Sequence, residues 1–454
     1  MHHIQHPHPT HSGVDMTEGN ITGHLIRFAL PLLAGNIFQQ LYNMVDTWVV
    51  GNFVSNEAFS AVGTVGPIVN MLIGCFLGFS SGAGVVISQY YGARRTERVH
   101  DAVHTALVLT VILCAVFTAL GVGFTPLMLR LMNTPAEVFP ESSAYLTIYF
   151  GGISGLLIYN MGSGILRAVG DSRRPFYFLV VSAVLNTALD LLFVLRFGMG
   201  VEGVAWATVI AQAVSALLVI VVLLRTQQAV RLIPRDLRIH LPVLRQIIRV
   251  GVPSALQMAI TAFSNVFVQS YINSFGADCM GGWTAYTKID QLMLLPMQSL
   301  ALSATTFVGQ NLGRGNEPRA RQGVRRALAI AMAATVLVMI PVLAFPAMTA
   351  FHRKPEVPLA SAVVSPPAAL IRFTPCGAPE TVRPPIIMLC SFVLFRQVYL
   401  FIMSHYISHE LIPLVMGYPA GWLVCSAATL IYYRRTSFLS TRLVAEDGSK
   451  EDIQ

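Results

Sequence analysis

The chain carries one long motif set twice, and that repetition limits what it can fold into. LIRFALPLLAGNIFQQLYNMVDTWVVG at Leu25–Gly51 returns in degraded form as IIRVGVPSALQMAITAFSNVFVQSYIN at Ile247–Asn273. Arg27 falls against Arg249, Pro31 against Pro253 and Asn43 against Asn265. QYYGAR from Gln89 returns as QNLGRG from Gln310, each followed by an arginine-rich stretch. A membrane protein built from two related halves is most often a transporter, with its substrate path between them.

Composition supplies the membrane. Charged residues are 11% of the chain, against roughly 25% in an ordinary soluble domain. Hydrophobic residues are 54%, and apolar runs of about 20 residues recur, the length that spans a bilayer. A soluble helical solenoid would put a charged face on each helix, and none is visible. The net charge of +8 is not a nucleic-acid signal. The arginines cluster in short loops: Arg94, Arg95 and Arg98; Arg173 and Arg174; Arg225 to Arg238; Arg314, Arg319 and Arg321; Arg434 and Arg435. The alternate loops near Asn52–Glu57, Gly276–Gly282 and Ser404–Glu410 have neither lysine nor arginine. By the positive-inside rule the basic loops and both termini face the cytoplasm.

The pattern predicts an all-α polytopic membrane protein. Six spans are expected near 25–50, 58–88, 101–125, 142–167, 174–196 and 200–225. Five follow near 247–274, 281–310, 322–351, 384–408 and 411–433. The organisation expected is a disordered extension at 1–16, an N-lobe at 17–225, a basic linker at 226–245, a C-lobe at 246–435 and a tail at 436–454. The missing tenth span falls at His352–Arg383, which is crowded with prolines that break helices. Without a crossing there, Arg434 and Arg435 would face outside. A broken or re-entrant helix, a loop with altered topology, and a replaced segment such as a locally shifted reading frame all fit. The abrupt change of composition at both ends of 352–383, with repeat-bearing flanks, favours the last. Six scattered cysteines suggest neither a disulfide framework nor a zinc site.

The polar residues inside the spans are the functional candidates. Asn36, Gln39, Gln40, Asn43, Asp46 and Thr47 recur at spacings of three and four, on one helical face. A carboxylate in the hydrocarbon zone is expensive, so Asp46 marks either a functional site or a hydrogen-bonded packing contact. Asn186 and Asp190 lie one turn apart in the fifth span, Thr208 and Gln212 one turn apart in the sixth. Carboxylates with amide and hydroxyl oxygens suit a hard cation, and two acids close together suit a proton. In the second half Lys288, Asp290 and Arg396 are intramembrane charges, with Asp290 expected to pair with Arg396 or Lys288. Adaptable cavity lining is expected from Phe38, Gln39, Tyr42, Asn43, Met44, Asn70, Gln212, Met258, Tyr286, Asp290, Met293 and Met297. His405 and His409, one turn apart, form a weak metal pair, and beyond the possible Na⁺ site no metal site is expected.

PLLAGNIFQQLYNMVDTWVVG, SQYYGARR, GILRAVGDSRRP and NTALDLLFVLRFGMGVEGVAWATVIAQ together resemble the bacterial multidrug and toxic compound extrusion (MATE) transporters. The resemblance covers about residues 17–351 and 384–435. It implies twelve helices in two pseudo-symmetric six-helix lobes around a central cavity, in a bacterial cytoplasmic membrane. It implies a monomer that exports hydrophobic, often cationic compounds in exchange for Na⁺ or H⁺, without a cofactor or nucleic acid. The family's N-lobe cation site falls here on Asp46, Asn186, Asp190 and Thr208. The second lobe departs, with Val268 opposite Asp46, Phe395 opposite Asn186 and Tyr399 opposite Asp190. A lipid-linked oligosaccharide flippase of the same superfamily would want a cationic cavity for its pyrophosphate, and the acidic N-lobe argues against it. A membrane enzyme lacks any nucleophile motif or phosphate loop. A transport-impaired copy is the remaining alternative, because of 352–383.

Overall fold

The computed structural model describes residues 14–54, 56–131, 134–273, 277–344, 383–403, 406, 417–435 and 443–444. The anomalous stretch 352–382, His405 and His409 lie outside the described residues, as do the side chains of Thr47, Val268, Tyr286, Lys288, Asp290 and Met293. The described residues form helices joined by short loops. The first half contains α1 (Ile21–Phe53), α2 (Asn56–Gly92), α3 (Thr96–Leu131), α4 (Phe139–Gly151), α5 (Ile153–Ala168), α6 (Arg173–Leu191) and α7 (Gly200–Arg225). The second contains α8 (Leu241–Asn273), α9 (Ala277–Gly313), α10 (Glu317–Ala344), α11 (Arg383–Met388), α12 (Arg396–Ile402) and α13 (Gly417–Arg435). A π-helical stretch, Leu389–Phe395, joins α11 to α12.

Among the described residues, five helical segments are long and apolar enough to cross a bilayer: Ile21–Phe53, Val69–Gly92, Thr96–Leu131, Arg173–Arg196 and Gly200–Arg225. The fourth expected span is α4 and α5 in series, broken at Gly152, where α5 presses on Val209 of α7. At the start of α1, Asn20 Oδ1 accepts the Gly23 amide at 3.3 Å, which occupies one of the helix's orphan donors. Pro31 in α1 and Pro253 in α8 sit inside their helices, as the repeat requires. Membrane helices tolerate such prolines because neighbouring groups re-satisfy the freed carbonyls.

The repeat is visible in the packing. α2 packs along α8, α1 packs on α9, and α2 meets α9. These pairs exchange under the symmetry that maps α1 on α8 and α2 on α9. Small residues allow the close approach. A Cβ on Gly78 would meet the backbone of Ala255 at 2.8 Å or less, and one on Gly82 would meet Gly251 at 2.7 Å. At the basic end, a Cβ on Gly92 would collide with the Gln310 carbonyl, and one on Gly313 with the Gln89 carbonyl.

Gln89 and Gln310, counterparts in the repeated motif, are both fully buried there, and each holds a terminal segment. Gln310 Oε1 accepts the Met16 amide at 3.0 Å, and its Nε2 donates to the Ala168 carbonyl at 3.0 Å. Gln89 Oε1 accepts the Leu443 amide at 2.9 Å, and Val444 is buried beside it. Asn311 Nδ2 donates to the Met16 carbonyl at 3.2 Å, while Arg319 donates to the carbonyls of Met16 and Gly19. Met16 is fully buried, so the extension expected through residue 16 gives way to packed chain from residue 14. The sequence reading missed this because the partners of Met16 lie almost 300 residues away. The linker also ends earlier than expected, with α8 beginning at Leu241 rather than after Arg245.

Asp15 accepts from the Thr17 amide at 2.9 Å and the Thr17 hydroxyl at 2.6 Å, and faces Arg94 at 3.8 Å. Burial pushes its carboxyl up, but the Thr17 bonds and Arg94 outweigh burial and hold it below the ordinary range. A lowered carboxyl contributes stability above its unfolded value and loses it as pH falls through the folded one. Amide exchange at residues 14–19, corrected for intrinsic rate, is therefore expected to be slow at neutral pH and to speed up below about pH 4. Gly92→Ala is expected to lower the thermal stability of the purified protein by about 1–3 kcal/mol, whereas Gly123→Ala, whose Cβ meets nothing within 4 Å, leaves it unchanged apart from helix propensity.

Candidate cation and substrate site

α6 sets the site's register. Ser182, Asn186 and Asp190 recur every fourth residue and are all buried on its inner face. The Ser182 hydroxyl donates to the Ala211 carbonyl of α7 at 2.9 Å, which fixes α6 against α7. One turn on, Asn186 Nδ2 points to the Thr208 hydroxyl oxygen at 3.5 Å, and that hydroxyl donates to the Val204 carbonyl at 3.0 Å. α1 closes the third side, with the Asp46 and Asp190 carboxyls in side-chain hydrogen-bond contact. Directly after α6 the helix widens into a π turn, Leu192–Arg196, a distortion that recurs at functional sites.

The four N-lobe residues singled out from the sequence thus converge from three helices. Their chemistry is one-sided. Asp46 Oδ1, Asn186 Oδ1, Asp190 Oδ1 and Asp190 Oδ2 are buried and meet no hydrogen-bond donor among the described residues. Two ionised carboxylates cannot bond to each other, since neither has a proton to give. Such a set fits a proton shared between the acids or a small hard cation held by oxygens. The residues present therefore fit either ion. Tyr42 and Tyr145 lie within electrostatic reach of Asp46. Tyr145 and Tyr149 stack with centroids 6.1 Å apart.

Next to this cluster lies a cavity of about 120 Å³ bounded by α1, α5, α6 and α7. Asn36, Gln39, Tyr42 and Gln212 line it; the sequence reading put the last three in the substrate cavity and Asn36 on the polar face of α1. It also contains Tyr159, Asn160 and Arg167, which the sequence reading missed. Arg167 lies in the last turn of α5, at the edge of the expected span 142–167, where an arginine reads as an ordinary boundary charge. Phe38, Asn43, Met44, Asn70 and Met258 do not line this cavity. Met297 is corrected to core: it is 1% exposed, packed with Leu25, Phe28 and Leu32 of α1, and accepts from the Thr335 hydroxyl at 3.6 Å. A methionine inside a helix cannot be told from a cavity methionine until its facing helix is known.

In the second half, Arg396 is 1% exposed at the start of α12. Its expected partners Asp290 and Lys288 fall outside the described residues. Phe395 and Tyr399 put two rings, 6.3 Å apart, where the first half has Asn186 and Asp190. Among the described residues no cluster of three or more histidine, cysteine or acidic side chains has metal-holding geometry. Cys75, Cys114, Cys390 and Cys425 form no disulfide among the described residues.

The MatE family model matches residues 31–192 and 253–373. The chain belongs to the MatE family. The two matched segments begin at the repeated prolines Pro31 and Pro253, so the family's unit is the repeat itself. The chain is similar to YoeA of Bacillus subtilis, described as a probable multidrug resistance protein, at 29% identity over 90% of this chain and 92% of that one. It is similar to YpnP of the same organism, described likewise, at 31% identity over 67% of this chain and 68% of that one. Its fold matches the outward-facing structure of a multidrug resistance MATE family transporter with a TM-score of 0.88, at 23% identity over 96% of this chain and all of that one. The protein is therefore an all-helical, multi-pass membrane transporter with the two-lobed MatE architecture.

Thr208→Val keeps the shape of the side chain but removes the hydroxyl that accepts from Asn186 Nδ2. It is expected to cost about 1–3 kcal/mol, read as a lower apparent melting temperature, while Thr208→Ser stays near the wild type.

Proposed function

We propose that this MatE protein is a cation-coupled exporter of hydrophobic organic compounds, many of them cationic. Its coupling ion, Na⁺ or H⁺, binds at Asp46, Asn186, Asp190 and Thr208. The observation that carries this reading is the group of four buried acceptor oxygens that meet no donor among the described residues. Left as two ionised acids, the cluster is repelled and desolvated, and a single proton or cation relieves both costs. The names of the two Bacillus subtilis relatives, probable multidrug resistance proteins, support the substrate class.

Coupling follows from where the acids sit. Asp46 belongs to α1, which packs on α6 within its own half and on α9 of the other half. Asp190 belongs to α6, which packs on α1 and α7. Charging or neutralising the pair changes how closely α1 and α6 can approach, and α1 carries that change to the lobe interface. An ion moves the balance between two shapes only by binding one more tightly. The packed basic end, with Gly92 on Gln310 and Gly313 on Gln89, is the closed side of one such shape. The basic loops make that end the cytoplasmic one and put the protein in the cytoplasmic membrane with both termini inside.

The test is efflux of ethidium from proteoliposomes, with Na⁺ and pH gradients imposed separately. The wild type is expected to respond to one gradient. Asp46→Asn and Asp190→Asn are each expected to lower gradient-driven efflux at least about tenfold, since a removed intramembrane acid leaves no site for the coupling ion. Undiminished gradient-driven efflux in Asp46→Asn would falsify the coupling role.

A further inference from the structure

The N-lobe cavity carries a charge of the opposite sign to the acidic cluster, and that charge has no partner. Arg167 lines the cavity with Asn36, Gln39, Tyr159 and Asn160, and no carboxylate lines it. Its Nε is buried and meets no acceptor. The acid closest in sequence, Asp171, stands at the i+4 position where a partner for Arg167 would fall. It is committed elsewhere: its Oδ1 accepts the Arg173 amide at 3.1 Å and the Arg174 amide at 3.2 Å, and its Oδ2 faces Arg174 Nε at 3.4 Å. The Tyr159 hydroxyl is spent on the Pro175 carbonyl at 3.1 Å. A guanidinium inside a membrane helix bundle normally finds a carboxylate or backbone carbonyls, because leaving it bare costs several kcal/mol.

The geometry points to Arg167 as the anion-binding residue of a substrate subsite, one that takes the carboxylate headgroup of an amphiphilic organic acid or zwitterion. This deepens the exporter reading and rests on it. A guanidinium presents a planar fork of donors that matches a carboxylate, and the amides of Asn36, Gln39 and Asn160 supply further polar groups around it. The cavity of about 120 Å³ would take the acid headgroup against Arg167. The acidic cluster and Arg167 lie at different points of the same lobe, so an acid head at Arg167 and a cation at Asp46 and Asp190 can be held together.

The test uses the full chain in detergent micelles and two dyes that differ in one group, tetramethylrhodamine with its free carboxylate and the methyl ester of the same ring system. Fluorescence anisotropy gives a dissociation constant for each. The wild type is expected to bind the acid about tenfold tighter than the ester, the scale of one charge-assisted bidentate contact. Arg167→Gln is expected to abolish the preference by weakening the acid alone. An acid-to-ester ratio near one in the wild type, or one unchanged by Arg167→Gln, overturns the proposal. Should Arg167→Gln fail to fold, Arg167→Lys takes its place, since a point charge replaces the fork. The ratio then falls part-way, and an unchanged ratio again overturns the proposal. Gradient-driven efflux of the ester reports the coupled-export reading separately, because the ester makes no use of Arg167. A lost ratio with intact ester efflux removes only the anion subsite. An intact ratio without ester efflux removes only the coupling.

Discussion

Backbone contact between the two halves is the constraint on which the rest of the structure depends. α2 lies against α8 and α9 so closely that Gly78, Gly82, Gly92, Gly309 and Gly313 leave no room for a Cβ. Lipid tails are as apolar as leucine, so apolar burial alone does not drive helices together in a membrane. Close packing over small residues and hydrogen bonds across the seam must do it. The bonds are present: the Ser303 hydroxyl donates to the Leu25 carbonyl at 3.0 Å, Asn36 Nδ2 to the Ser299 hydroxyl at 3.1 Å, and the Tyr90 hydroxyl to Gln246 Oε1 at 2.8 Å. Because the seam is a lattice of specific contacts rather than a greasy surface, it can exist in discrete arrangements, which a transporter needs.

The two halves share that seam and differ in chemistry. The first half collects four unmatched acceptors in one place and an unmatched guanidinium in another. The second has aromatic rings where the acceptors would be. An unmatched buried polar group destabilises a fold by a few kcal/mol. Four such acceptors brought together from α1 and α6 mark where the protein meets ions and solutes. The basic end shows the opposite treatment. There Gln89, Gln310, Asn311 and Arg319 bind the segments around Met16 and Leu443 through hydrogen bonds to their backbone.

Much of this was legible in the chain. Asp46, Asn186, Asp190 and Thr208 stand out because polar residues in apolar runs are conspicuous, and i+4 spacing puts each pair on one face. The six spans of the first half were readable from length and hydropathy for the same reason. Arg167 was not legible as a cavity residue. It sits in an ordinary-looking turn with an acid four residues on, and only coordinates show that Asp171 pairs with Arg174 instead. Met297 misled in the other direction, since a core methionine and a cavity methionine read alike. The buried Met16 was invisible, because its partners come from the far half of the chain.

What the sequence determined by itself was the helical character of the first half, the doubling of the architecture and the polar residues that share a helix face. Those properties are local or periodic, and a bilayer enforces them residue by residue. Only the tertiary structure decided which polar groups are answered and which are not. Gln310 is satisfied by Met16 and Ala168, while Asp190 meets no donor and Arg167 Nε no acceptor. Satisfaction depends on atoms brought together from distant helices, and no spacing along one chain records that.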